Sequence, residues 1–275
     1  MNAGALAPAP GAEPREPLLR WNAVNVSLLA LLAAAVLSRD VLSGSGRDLD
    51  VTASLARFLR GFLPPDLSVL RDTAGALVET LQIAVWATLL SALLSLPFAA
   101  AGAPRLAPRL FASASRLFLG AVRTIPSLVW ALLAVAVLGP TPLAGVAALT
   151  FYSLGYLGKF AADDAGSLDV SRASLLRATG ASRFQAFLYG AWPEVKPLAT
   201  SRVLWMLEYN VRSAAIIGYV GAGGIGSRLH EYQEFGQWDR FATVLLVLFA
   251  VVMLLDLWGG RLRSALSGNT PPAGD

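Results

Sequence analysis

Long apolar stretches alternate with short polar connections along most of the chain. The first stretch covers residues 21–38, eighteen residues without a charge between Arg20 and Arg39. A helix of this length just crosses a hydrocarbon core of roughly 30 Å. The same pattern predicts five further spans, at residues 74–101, 113–138, 142–160, 198–219 and 239–260. We therefore predict an all-α integral membrane protein with six transmembrane helices.

Two other features of the pattern refine this prediction. Residues 124–158 carry no charge and are too long for one helix, and the sequence Gly139-Pro140-Thr141-Pro142 divides them with a tight turn. Residues 51–62 place leucine and phenylalanine at helical spacing, with two arginines on other faces. This amphipathic segment is predicted to lie flat on a membrane surface rather than to span it.

The chain divides into four parts on this reading. Residues 1–20 hold four prolines and no apolar run, and they are expected to form a disordered cytoplasmic tail. Residues 21–72 hold the first transmembrane helix and the extracytoplasmic amphipathic segment. Residues 73–263 form the helical core, which includes a polar connection at residues 171–193, and residues 264–275 form a second disordered tail.

Composition narrows the chemistry that the chain can perform. Hydrophobic residues make up 55% and charged residues 15%, too little polar surface for a soluble domain of 275 residues. There is no cysteine and a single histidine, His230, which argues against a metal or redox centre. The net charge of +4 is small, so we expect contact with membrane lipid and none with nucleic acid.

The distribution of lysine and arginine predicts the orientation. With the N-terminus in the cytoplasm, the inner segments hold twelve of the 22 basic residues, the outer segments seven, and the helices three. Short connections rich in basic residues stay on the cytoplasmic side. An even number of helices then places both termini, and the connection at residues 171–193, in the cytoplasm.

Ionisable residues inside the predicted spans are candidates for function, because a charge at the bilayer centre costs at least ~2.5 kcal/mol. Arg202 and Asp256 lie near helix ends and can extend to the interface, and Glu79 could pair with Arg123. Glu208 and Arg212 are four residues apart on one helical face. They either pair with each other or, with Asn210 beside them, line a pathway, which we favour because polar groups at membrane depth normally face a cavity.

A run of glycines follows at residues 218–226. Its spacing fits the dinucleotide-binding pattern, but an apolar helix precedes it instead of a strand, which argues against nucleotide binding. Glycines let the backbone unwind and pack closely against a neighbour. We predict an extracytoplasmic gate formed by Gly221, Gly223, Gly224 and Gly226.

The cytoplasmic connection has the features of a docking surface. Ser171 or Ser174 can cap a short helix, Gly180 permits a bend, and aromatic residues after it can anchor a second short segment at the interface. Small residues at the bend let another protein approach closely. The alternative is an interfacial loop without a partner.

Six ordered motifs resemble those of phosphonate ABC importer permeases, which belong to the inner-membrane components of binding-protein-dependent transport systems. The resemblance runs from about residue 62 to residue 263. The motifs are residues 79–84 (ETLQIA), 123–126 (RTIP), 157–159 (LGK), 177–182 (RATGAS), 208–214 (EYNVRSA) and 220–226 (VGAGGIG). One departure is Ser174, where many importer permeases have a glutamate six residues before the coupling glycine.

The resemblance implies a type I importer fold and an inner-membrane homodimer joined to two cytoplasmic ABC ATPase subunits and fed by an extracytoplasmic binding protein. ATP and magnesium would bind to the partner ATPase, since this chain lacks a Walker Gly-Lys-Ser/Thr motif and would hold no cofactor itself. The implied pathway residues are Glu208, Asn210, Arg212, Arg123 and Lys159. The implied ATPase-coupling residues are Arg177, Ala178, Thr179, Gly180, Ala181 and Ser182.

Three alternatives stay open at this point. A permease of the same class could carry phosphite, phosphate, methionine or another small solute instead of a phosphonate. A membrane-embedded enzyme would need clustered acid, base or metal-binding residues at one membrane face, which the scattered carboxylates do not provide. A scaffold or receptor without catalysis would form no stable complex with an ATPase.

Overall fold

The computed structural model describes residues 23–42, 50–102, 107–167 and 171–267. The chain forms two compact units, Met1–Leu55 and Ala56–Asp275. The tail predicted at residues 1–20 lies outside the described residues. The predicted boundary of the second tail, at residue 264, falls inside a helix that continues to Ser267.

Every described element is helical. The first unit contains α1 (Ala23–Leu37), a 3₁₀ turn at Arg39–Leu42 and the start of α2 (Val51–Gly61). The second unit contains the rest of α2 and nine further helices. These are α3 (Leu70–Gly102), α4 (Arg109–Thr124), α5 (Ser127–Leu138), α6 (Pro142–Ser167), α7 (Ser171–Ala178), α8 (Arg183–Ala186), α9 (Trp192–Ile217), α10 (Ile225–Glu234) and α11 (Trp238–Ser267).

The prediction of one continuous helix at residues 113–138 is wrong. The chain forms two helices there, α4 and α5, whose axes differ by 87°. Proline has no N–H and disfavours the helical conformation of the residue before it, and Ile125, which precedes Pro126, is extended with φ −81° and ψ 122°. The indole N–H of Trp130 donates to the Val122 carbonyl across 3.3 Å, which satisfies an acceptor near the break.

The other predicted helices are present. By length and apolar composition, however, only some of the described helices are long and apolar enough to cross a membrane. Among the described residues, two segments are long and apolar enough to cross a bilayer: residues 67–102 and residues 238–265. The bent pair of α4 and α5 is a third if it counts as one broken span. Helix α1 is a shorter apolar helix of fifteen residues.

The centre of the second unit is built around α6, which packs against α3, α4, α5 and α9. Small residues allow this close packing. A Cβ atom on Gly155 would lie 3.0 Å from the backbone nitrogen of Arg123, and one on Gly158 would lie 2.7 Å from a Leu119 methyl carbon. Helices α4 and α6 therefore approach each other to a distance that only glycine permits at these positions.

One end of the second unit is closed by α2, α10 and the start of α11. Phe58 of α2 and Phe62, which follows α2, pack on the Trp238 ring, with centroid separations of 5.3 and 6.0 Å. The Arg240 guanidinium pairs with the Asp66 carboxylate at 3.1 Å. Hydrogen bonds from Ser68, together with that guanidinium, lower the pKa of Asp66. The predicted amphipathic segment is thus a helix tied to the protein; its place on a membrane surface stays a prediction.

Candidate functional site

The predicted coupling segment forms an exposed bend between α7 and α8. Helix α7 ends in a Schellman motif, in which the N–H of Ala181 donates to the Leu176 carbonyl and the N–H of Gly180 to the Arg177 carbonyl, each across 3.1 Å. Gly180 has φ +92°, a conformation that glycine adopts at low cost. The glycine thus ends α7 and turns the chain.

A reciprocal cap starts the next helix directly after this bend. The backbone N–H of Ser182 donates to the Gln185 side-chain oxygen at 2.9 Å, and the Gln185 N–H donates to the Ser182 hydroxyl at 3.2 Å. This arrangement is a capping box, which fixes the direction in which a helix begins. The bend is therefore held from both sides, although α8 has only four residues.

The surface of the bend is open to a partner. Leu175 is 68% exposed, and a Cβ atom placed on Gly180 would meet no atom within 4 Å. Ser174, which replaces the usual glutamate, lies on the exposed side of α7. Arg177, Ala178 and the following residues share this surface. The predicted coupling residues therefore lie together in a small protrusion. Their role in docking an ATPase stays a prediction.

Of the two alternatives for Glu208 and Arg212, the structure does not show the pairing of one with the other. Glu208 forms a short hydrogen-bonded ion pair with Arg263 of α11. The Nη1 atom of Arg212 instead donates to both carboxylate oxygens of Asp256, at 3.0 and 3.1 Å. Helix α11 packs along α9 and offers each residue an opposite charge at close range, which competes successfully with a pair along one helix.

The other intramembrane charges have specific neighbours. Arg202 lies 3.7 Å from Asp164 of α6, and Asp256 pairs with Arg212 as described above, while the extension of both side chains to an interface stays a prediction. Glu79 and Arg123 do not pair. The Arg123 guanidinium lies 5.2 Å from the centroid of the Tyr156 ring, and the Glu79 carboxylate borders the glycine run, 2.8 Å from where a Cβ on Gly223 would be.

Asn210 is completely buried between three helices. Its amide nitrogen donates to the Thr88 hydroxyl of α3, and its amide oxygen accepts from the Ser153 hydroxyl of α6, both at 2.9 Å. In this structure the side chain therefore joins α3, α6 and α9 rather than facing an open cavity. Lys159 lies half-buried on α6. The pathway roles of both residues stay predictions.

One face of helix α9 is exposed. This face contains Arg202, Trp205, Arg212 and Ile216. The second half of α9 also borders a cavity of about 510 Å³. Arg212 is the one charged residue among the residues that line this cavity. The structure thus leaves the predicted pathway arginine on an open face of the chain, 43% exposed.

An aromatic cluster lies between α6 and α9, and the sequence motifs did not reveal it. It contains Tyr152, Tyr156, Phe160, Trp205 and Tyr209, with ring centroids 5.0 to 6.3 Å apart. A signal for it was present in the sequence, since aromatic residues recur four apart on both helices, but nothing showed that the two rows face each other.

The glycine run breaks the helical geometry within Gly218–Ala222, where Val220 and Gly221 have non-helical backbone angles, and then begins α10 at Ile225. Gly221, Gly223 and Gly224 all have positive φ, between +72° and +94°. The Thr80 hydroxyl of α3 accepts the Ile225 N–H at 2.7 Å, and a Cβ on Gly221 would lie 3.1 Å from Pro140. These contacts close one end of the helical bundle tightly, which suits the predicted gate without testing it.

A family model matches most of the chain. Its description is "Binding-protein-dependent transport system inner membrane component", and the match covers residues 76–268, which includes α3 to α11 almost completely. The match includes the bend at Gly180, the charged residues of α9 and the glycine run.

Curated relatives carry consistent names. The chain is 35% identical to a phosphite transport system permease protein of Stutzerimonas stutzeri over 211 residues, 76% of this chain and 77% of the relative. It is 35% identical to a putative phosphite transport system permease protein of the same organism, over 75% of this chain and 73% of the relative. A phosphate-import permease protein of Mycolicibacterium smegmatis is 32% identical over 78% of this chain and 41% of the relative.

Solved structures show the fold. An inward-facing methionine ABC transporter matches with a TM-score of 0.62 and 20% identity, over 73% of this chain and 99% of that one. An amino acid ABC transporter with histidines matches with a TM-score of 0.59 and 16% identity, over 78% and 97%. The second unit therefore has the all-helical fold of type I ABC importer permeases.

Proposed function

Because this chain belongs to the family of binding-protein-dependent transport system inner membrane components, we propose that it is the permease of an ABC importer for phosphorus oxyanions. The observation that supports this substrate class is the 35% identity to a phosphite transport permease across about three quarters of both chains. Phosphite, phosphonates and phosphate share a tetrahedral phosphorus centre with anionic oxygens. The chain is a transport subunit, and ATP hydrolysis takes place on a separate partner.

We further propose the assembly that this role requires. Two copies of the permease would form the passage between them, two ABC ATPase subunits would bind on the cytoplasmic side, and an extracytoplasmic protein would deliver the substrate. Six membrane spans, with α4 and α5 as one broken span and the N-terminus in the cytoplasm, would put both termini in the cytoplasm and the bend at Gly180 on the ATPase side. ATP and magnesium would bind to the ATPase alone.

The bend would convert ATPase closure into movement of the passage. It is held by the Schellman motif and the capping box, so it can transmit force as a unit. A π-helical turn at Phe187–Ala191 joins it to α9, which carries Arg202 and Arg212 on its open face. Displacement of the bend would thus tilt α9 and expose its arginines alternately to the two sides of the membrane.

Arg212 would attract the anion, and Asp256 would limit that attraction. A guanidinium on an open helix face lowers the cost of moving an anion through a region of low dielectric constant. If the guanidinium bound the anion too tightly, release would be slow. The Asp256 carboxylate competes with the substrate for the same guanidinium, so we assign to Asp256 the role of limiting how tightly the anion binds.

Uptake into proteoliposomes tests this proposal. The complete complex, supplied with its binding protein and internal ATP, is expected to take up phosphite, methylphosphonate or phosphate but not methionine. Arg212→Gln is expected to slow uptake by about tenfold or more, because it removes the attracting charge and leaves the Asp256 carboxylate facing the anion. The double variant Arg212→Gln with Asp256→Asn is expected to recover part of that loss.

A matched control is Arg240→Gln, which removes an arginine that also pairs with an aspartate but lies at the closed end of the bundle. Its uptake rate is expected to stay near that of the wild type. Methionine uptake by the wild-type complex would replace the proposed substrate class. Unchanged phosphite uptake in Arg212→Gln would remove Arg212 from the pathway.

A further inference from the structure

Arg123 differs from the other arginines that lie within the helical bundle. Arg116, Arg202 and Arg212 each have a carboxylate oxygen within 3.0 to 3.7 Å of a guanidinium nitrogen. Within the part of the chain that the structure describes, no carboxylate lies at ion-pair distance from Arg123. Its neighbour is instead the Tyr156 ring, whose centroid is 5.2 Å from the guanidinium carbon.

The position of Arg123 makes a missing counter-charge costly. Its backbone packs on Gly155, which lies midway along the 26-residue helix α6. A charged side chain at membrane depth is costly unless it is paired or faces water or a ligand. The guanidinium is half-buried and is positioned against an aromatic ring, so an anion could approach its remaining N–H groups.

Three tyrosine hydroxyls beside Arg123 form a chain of hydrogen bonds, and the last hydroxyl of that chain has a hydrogen without an acceptor among the described residues. Tyr152 donates its single hydroxyl hydrogen to the Tyr156 oxygen across 3.3 Å. The Tyr209 hydroxyl, 2.7 Å from the Tyr152 oxygen, must therefore be the donor in the second contact. The chain of hydrogen bonds thus runs from Tyr209 to Tyr152 to Tyr156. Among the described residues, nothing accepts the hydroxyl hydrogen of Tyr156.

Two groups that need an acceptor therefore occupy the same place. One is a guanidinium without a carboxylate, and the other is a phenolic O–H at the end of a polarised chain of hydroxyls, on the ring that the guanidinium covers. A phosphorus oxyanion has only acceptors to offer and carries the missing negative charge. Donors that lie inside a membrane protein and lack acceptors are expected to meet a ligand or water.

We propose that Arg123 and the hydroxyl chain of Tyr156, Tyr152 and Tyr209 form an oxyanion-binding station inside each permease subunit. The proposal rests on the proposed transport of phosphorus oxyanions and specifies where the anion binds within the subunit. Tyr209 precedes Arg212 by one helical turn on α9, and α9 runs from the coupling bend towards the glycine run. An anion entering past the glycine run would meet Arg212 first and this station second.

The test compares variants that remove one donor each and keep the ring or the length of the side chain. Tyr156→Phe is expected to slow phosphite uptake by the reconstituted complex about fivefold, and Arg123→Gln by about tenfold or more, with Arg123→Lys intermediate. Phosphite binding to the purified permease–ATPase complex without binding protein, measured by calorimetry, is expected to weaken by similar factors.

Several readouts separate binding from a structural role. Tyr156→Phe removes, among protein contacts, only the acceptor of the long Tyr152 hydrogen bond at 3.3 Å, so it is expected to lower the melting temperature little while uptake falls about fivefold. Tyr232→Phe, which removes a hydroxyl near the closed end of the bundle, is the matched control and is expected to keep full uptake.

The outcomes distinguish this inference from the function on which it rests. A wild-type complex that carries no phosphorus oxyanion contradicts the proposed function. A wild-type complex that carries phosphite while Tyr156→Phe and Arg123→Gln bind and carry it equally well overturns the station alone. Loss of uptake in Tyr156→Phe with a matching loss of melting temperature would also overturn it, since the hydroxyl would then serve folding.

Discussion

Gly226→Ala is expected to prevent accumulation of folded permease in the membrane. A Cβ atom at this position would overlap the Ala215 carbonyl oxygen and lie 2.8 Å from the Gly218 Cα atom. All of these atoms are backbone, so no side-chain rotation relieves the overlap. Separating α9 from α10 would open the closed end of the bundle, and we expect a loss of at least ~3 kcal/mol. Thermal unfolding of the detergent-purified protein measures it.

Gly75→Ala provides the control for Gly226→Ala. Gly75 lies in α3, and a Cβ atom there would meet nothing within 4 Å. Replacing an exposed helical glycine with alanine typically stabilises by ~0.4 to 1 kcal/mol, because it reduces the freedom of the unfolded chain. Equal melting temperatures for Gly226→Ala and Gly75→Ala would mean that the glycine run is not packed as the structure shows.

Gly180→Leu is expected to abolish substrate-stimulated ATP hydrolysis by the assembled complex while the permease still reaches the membrane. The leucine has open space, so the fold of the bundle is not disturbed. It must, however, adopt φ near +92°, which costs ~1 to 2 kcal/mol and weakens the Schellman motif. It also adds bulk at the tip of the bend, where the ATPase would approach.

Gly236→Leu separates these effects from a general loss of stability. Gly236 has φ +66° and open space around it, but it follows α10 at the closed end of the bundle. The backbone strain is similar, so the ATPase subunits are expected to copurify with Gly236→Leu as they do with the wild type. Stimulated hydrolysis that persists in Gly180→Leu would show that the bend is not the docking element.

The sequence predicted the helices well because apolar periodicity and breaker residues act locally. The turn at Gly139 ends α5 with φ +77° and α6 begins at Pro142, as the sequence Gly-Pro-Thr-Pro predicted. The break before Ser127 was also visible as Pro126, yet the uncharged run around it concealed the change of direction. Hydropathy reports whether residues are apolar, and it does not report the angle between two apolar helices.

The partners of the charged residues were less predictable, because pairing between helices depends on which faces meet. Glu208 and Arg212 have the spacing of a helical ion pair, but α11 brings Arg263 and Asp256 against them. The sequence predicted that Asn210 lines a pathway, whereas in this structure its side chain is enclosed by α3 and α6. The shape of the bend at Gly180 could be predicted, because its Schellman glycine and its serine-to-glutamine cap are both local signals in the sequence.

The most direct test of the central claim, that the protrusion at the bend meets the ATPase, is photocrosslinking from single positions in the assembled complex. A photoreactive residue in place of Leu175, which is 68% exposed on α7, is expected to crosslink to the ATPase subunit. The matched position is Leu63, 72% exposed next to α2 at the closed end, and it is expected to give no ATPase crosslink. Crosslinking to the ATPase from Leu63 and none from Leu175 would contradict the account.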